Sequence, residues 1–125
     1  LYSFPRSPMS IYYTDYLLAG IKIDMDLLKE NNPEASKTIW GLYMVDDRRE
    51  AKQDVQMICD QMSGHYCVIG QVFARLHPKE DTQFVEVPSM MNTAIAFEAI
   101  IHEYPELIDI LKLEDMRCYL FSHHS

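Results

Sequence analysis

From His65 to Leu76 the chain carries twelve residues with no acid, no proline and a single base, Arg75, set between Gly64 and His77-Pro78. A run of Val, Ile, Tyr and Phe bounded by turn formers predicts a strand, and a strand commits other parts of the chain to a sheet. Side chains alternate along it, so Tyr66, Val68, Gly70, Val72, Ala74 and Leu76 share one face, while His65, Cys67, Ile69, Gln71, Phe73 and Arg75 share the other. The first row is apolar and reads as core. The second mixes imidazole, thiol, amide, ring and guanidinium and reads as the open face.

The flanking segments extend this reading. Pro5 and Pro8 make residues 1–9 an extended arm, and Met9-Ser10 fits a native start behind an unrelated leader. Ser10 is placed to cap a helix over Ile11 to Ala19, with Gly20 as its stop. Ile21, Ile23, Met25 and Leu27 then alternate with Lys22, Asp24 and Asp26, which predicts a half-buried strand in preference to one long helix from Ser10 to Asn31. Asn31-Asn32-Pro33 reads as a turn, and Thr38 to Val45, rich in aromatic and β-branched residues, as a strand.

Asp47 followed by Glu50 imitates a capping box. Ala51, Val55, Ile58, Cys59 and Met62 then fall at helical spacing before Gly64, which predicts a helix from Asp47 to Gly64. After the central strand, Thr82 to Val87 reads as its hairpin partner. Pro88-Ser89 caps a mostly buried helix over Met90 to Tyr104, and Pro105 starts a further turn or two to Leu113. Met116 to Ser122 reads as a last strand, and residues 123–125 as a tail.

This order predicts a single α+β domain over residues 10–122. From Thr38 to Ser122 it follows the strand–helix–strand–strand–helix–strand order of the ferredoxin-like superfold: an antiparallel sheet of four to five strands with two main helices on one face, and an N-terminal helix and strand as an extension. That superfold hosts enzymes, carriers and binding proteins alike, so function rests on particular residues.

At 125 residues and 48% hydrophobic, the chain is large enough for one real core. Its net charge of −8 disfavours nucleic acid, since the basic residues form no stripe and a phosphate backbone is repelled. An acidic surface instead suits solubility or contact with a basic protein partner, for which Asp46, Asp47 and Asp54 are placed. No apolar stretch approaches the length of a membrane span, which argues against a membrane protein. Three cysteines, Cys59, Cys67 and Cys118, form neither a disulfide framework nor a zinc motif, so the cytoplasm is the expected compartment.

Motifs for chemistry are sparse. His102-Glu103 lacks the second histidine of HExxH, so no metal is expected, and no glycine-rich phosphate loop or GxSxG elbow occurs, so no cofactor is expected either. The candidate contact residues are Gln71, Phe73 and Arg75 on the open face, joined by Trp40, Tyr43 and Tyr119 from neighbouring strands. Trp, Tyr and Arg are the types enriched at interface hot spots. The expectation is a small acidic, non-catalytic accessory protein, acting through a protein partner and forming a homodimer across its bare sheet face. The second reading is a small-molecule pocket on that face, with His65 and Cys67 as base and thiol.

Overall fold

The alternation beginning at Ile21 belongs to a longer strand. The computed structural model describes residues 13–46, 54–60, 64–77, 84–86 and 92–124, and in it Tyr13–Asp24 is one strand, β1. The helix expected up to Ala19 is thus a strand from Tyr13 onward. Tertiary pairing decides this: β1 has a neighbouring strand on both sides from Asp15 to Gly20 and on at least one side throughout, so its backbone groups find partners across strands instead of within a helix. At Asp24 the strand ends, because the Asp24 carboxylate accepts the Leu27 amide at 3.0 Å and opens helix α1, Met25–Asn31. Leu27, expected at the strand's end, is therefore helical.

Asn32-Pro33 is a junction of two helices. Asn32 donates its amide to the Leu28 carbonyl, closing α1, and its side-chain oxygen accepts the Ala35 amide at 3.2 Å, opening α2, Pro33–Asp46. Proline in the first helical position costs no hydrogen bond. The strand expected over Thr38 to Val45 is therefore helix. Ala35 and Ile39 are buried one turn apart, and Trp40, Leu42 and Tyr43 pack against the apolar cluster that holds Ile39.

The helix expected from Asp47 to Gly64 is corrected too. Val55–Cys59 is a strand, β2, while residues 47–53 and 61–63 lie outside the described residues. Tyr66–Leu76 is β3, as expected, but its hairpin partner is β2, with Gly64 at φ 70° in the connection. Of the hairpin strand expected over Thr82 to Val87, only Phe84–Glu86 are described, and they form no strand. Helix α3, Thr93–Glu103, is capped by Asn92, whose side-chain oxygen accepts the Ala94 and Ile95 amides. Pro88, Ser89, Met90 and Met91, the expected start of that helix, lie outside the described residues, as does the arm over residues 1–9. Short 3₁₀ turns at Pro105–Leu107 and Leu113–Asp115 lead into β4, Arg117–His124. His123 and His124, expected in a tail, pair with Thr14 and Tyr13.

The four strands form an antiparallel sheet in the order β2-β3-β1-β4, so the fold is α+β. The strand expected as an N-terminal extension lies at the sheet's centre. Two apolar clusters lie against this sheet. The larger takes Ala19 and Ile21 from β1, Val55, Met57 and Cys59 from β2, and Cys67 and Ile69 from β3, and joins them to Ile39 of α2 and Ala96 and Ile100 of α3. Each fully buried aliphatic side chain in it contributes about 1.5–3 kcal/mol. The smaller holds Leu18, Ile58, Val68 and Val72, and among the described residues no helix residue belongs to it.

Candidate contact face

The two rows of β3 have exchanged roles relative to the sequence reading. Cys67 and Ile69, in the mixed row, are fully buried in the larger cluster, and Phe73 packs against it. Tyr66, Val68 and Val72, in the apolar row, belong to the helix-free cluster. The physical reason is that α2 and α3 offer Ile39, Ala96 and Ile100 to the mixed row, whose small Cys67 and branched Ile69 fill that space. Arg75 leaves its row altogether. Leu17 pairs with Ala74 and Leu18 with Val72, so Phe73 is an extra residue in β3, and beyond this bulge the alternation is shifted by one. Arg75 thereby pairs with Tyr16 and shares the face of Tyr16, Leu18 and Val72.

On that face the half-buried rings of Tyr16, Tyr66, Tyr119 and Phe121 surround the buried Leu18, Ile58, Val68 and Val72. Register explains the gathering: Tyr16 is opposite Phe121, and Leu18 is opposite Tyr119. The Tyr16 and Phe121 rings stack with centroids 5.6 Å apart. Lys22 holds its ammonium 5.9 Å from the Tyr66 ring centre, within cation–π range. Lys22, Tyr66, Val68, Tyr119, Phe121 and Ser122 line a cavity of about 280 Å³. Burial pushes the Tyr16 phenol pKa up while the Arg75 guanidinium opposes that shift, and burial with the charges of Asp60 and Cys59 raises Tyr66.

The expected contact residues do not converge. Arg75 and Tyr119 lie on this face, but Trp40 and Tyr43 are on α2, edge to face at 5.9 Å, and pack against the helix-side cluster. Phe73 is on that side as well. Gln71 lines a broad depression of about 520 Å³ with Asp54, Val55, Glu98, Ala99, His102 and Glu103. His65 is exposed and its Nδ1 contacts the Asp26 carboxylate at 2.7 Å, whereas Cys67 is buried against Cys59, so the thiol and imidazole are not brought together. Among the described residues no group of three or more His, Cys, Asp or Glu could hold a metal ion, and no helix is long and apolar enough to cross a membrane.

Tyr16, Lys22 and Tyr66 are the members of the face that sequence reasoning missed. The signal was present in Tyr16, Leu18, Gly20 and Lys22, a period of two hidden by reading Ile11 to Ala19 as a helix. No known protein family, curated protein or solved structure matches the chain. What the face offers chemically is a platform of rings with cations at its margin, suited to holding an apolar or aromatic surface.

Proposed function

We propose that the protein is a non-catalytic binding module that pairs with a second copy of itself through the sheet face that carries the smaller apolar cluster, leaving an acidic outer surface for a basic protein partner. The observation that carries this reading is the second apolar cluster, where four half-buried aromatic rings lie over aliphatic residues on the side to which α2 and α3 contribute nothing. Two chains of net charge −8 repel over most of their surface, but Lys22 beside Tyr66 and Arg75 beside Tyr16 place cations on this side to offset the Asp60 carboxylate near Tyr66. A two-fold interface also requires a patch complementary to itself, and rings that stack on one another, as Tyr16 and Phe121 do here, suit such a patch.

The strand order β2-β3-β1-β4, with a helical connection from β1 to β2 and another from β3 to β4, supports a ferredoxin-like reading in which Tyr13–Asp24 takes the place expected for Thr38 to Val45. A cytoplasmic setting agrees with the cysteine content. The test is the mass in solution by light scattering across a wide concentration range. The wild type is expected at twice the 14.6 kDa chain mass, and Tyr119→Glu at one chain mass with its circular dichroism unchanged. A wild type that stays monomeric at the highest concentrations overturns the dimer. A second reading, a small apolar or aromatic ligand beside Lys22, is favoured by the 280 Å³ cavity and is tested by native mass spectrometry of freshly purified protein.

A further inference from the structure

Cys59 and Cys67 stand directly opposite each other on β2 and β3. Both are completely buried, and Cys59 Sγ donates to Cys67 Sγ at 2.8 Å. The ladder fixes the kind of pair they form. The Asp60 amide donates to the Tyr66 carbonyl and the Val72 amide to the Asp54 carbonyl, so those are hydrogen-bonded pairs, and Cys59–Cys67, one step inward, is a non-hydrogen-bonded pair. In such pairs the Cα atoms approach to about 4.5 Å and the side chains draw together. That separation is within the range a disulfide accepts, about 4.4–6.8 Å. Chance burial of two small hydrophobes does not require them to face each other in register on the same side of adjacent strands.

We propose that Cys59 and Cys67 form a reversible covalent modification site, closing to a cross-strand disulfide in exchange with a low-molecular-weight disulfide. One of the two, as a thiolate, attacks a sulfur of the reagent, forming a mixed disulfide and expelling one small thiol. The second cysteine then attacks the protein sulfur of that mixed disulfide and expels the other. Two electrons pass from the cysteine sulfurs to the reagent, and the two protons leave with the two small thiols. Entry requires β2 to open, and β2 is short for a strand: it has five residues and, among the described residues, lies at the sheet's edge and pairs only with β3. Once closed, the bridge fastens that edge to the centre of the sheet.

Cys118 is exposed on β4, so the test uses a Cys118→Ser chain, in which only the two facing thiols remain. The chain is incubated with glutathione disulfide and analysed by intact mass. The expected product has lost two hydrogen masses, carries no glutathione, melts about 5–10 °C higher and returns to the starting mass with dithiothreitol. Retention of both thiols, or a glutathione adduct that does not close, overturns the proposal. The bridge is also installed by oxidising the unfolded chain and refolding it, which removes the question of access. A bridged form that melts below the dithiol form overturns the proposal as well.

Discussion

Two glycine-to-alanine substitutions, Gly20→Ala and Gly41→Ala, are expected to move stability in opposite directions. Gly20 is paired with Gly70 at the centre of the sheet. The Met25 amide donates to the His65 carbonyl, which makes Ile21–Ile69 and Ala19–Gln71 hydrogen-bonded pairs and Gly20–Gly70 the close, non-hydrogen-bonded pair between them. A Cβ on Gly20 would overlap the Ile69 carbonyl oxygen and lie 2.6 Å from Gly70 Cα. The three nearest atoms are all backbone, so the strands themselves must part. Weakening two flanking ladder bonds costs about 2 kcal/mol. Overpacking adds about 1–3 kcal/mol, and about 0.5–1 kcal/mol is recovered by replacing a flexible glycine.

The net loss is about 2–4 kcal/mol, which at an ordinary urea dependence lowers the midpoint by ~1–2 M. Gly41 is an exposed residue inside α2, and a Cβ there meets nothing within 4 Å, so Gly41→Ala is expected to gain about 0.5–1 kcal/mol. Urea denaturation followed by circular dichroism reads both. A Gly20→Ala chain as stable as the wild type, at equal urea dependence, would refute the close approach of β1 and β3.

Two further outcomes follow from local geometry. Asn92→Ala removes the acceptor of two α3 amides and is expected to cost about 1 kcal/mol, read as a lower thermal midpoint, whereas Asn92→Asp retains most of it. Because burial raises the Tyr16 pKa, folding binds its phenolic proton more tightly. The stability linked to Tyr16 is present below the unfolded pKa of about 10 and is lost as pH rises through the higher folded value. Arg75 opposes that rise, so Arg75→Met is expected to delay Tyr16 ionisation further, as followed by tyrosine ring resonances during an alkaline titration.

Where tertiary partners agree with local pattern, sequence was a good guide: β3, β4 and the body of α3 stand where their residues point. Thr38 to Val45 misled because strand-forming residues dominate it, while its helix is set by Asn32 and Pro33, a cap and a first-turn proline that also resemble a turn. Val55 to Cys59 misled for the opposite reason. Val55, Ile58 and Cys59 fit a helical spacing, yet Val55, Met57 and Cys59 also alternate, and pairing with β3 selects the strand. For the contact face, alternation divided β3 into two rows as far as the bulge at Phe73. Which row meets the helices, and the crossing of Arg75 at the bulge, depend on neighbours no single segment encodes.

The central position of β1 has a consequence for how the chain is built. Both its partners come later: Gly20 must find Gly70 and then Arg117. At a synthesis rate of about 5–20 residues per second, the β4 side of β1 waits ~5–20 s on a ribosome for its partner. During that interval the emerging chain carries a half-paired strand, and its contacts are among the most distant in sequence that a chain of this length can make. Slow, late closure is the expectation for such a topology. Removing β4 would leave β1 as an edge of the sheet, so β4 also protects the backbone of the central strand in addition to its place on the contact face.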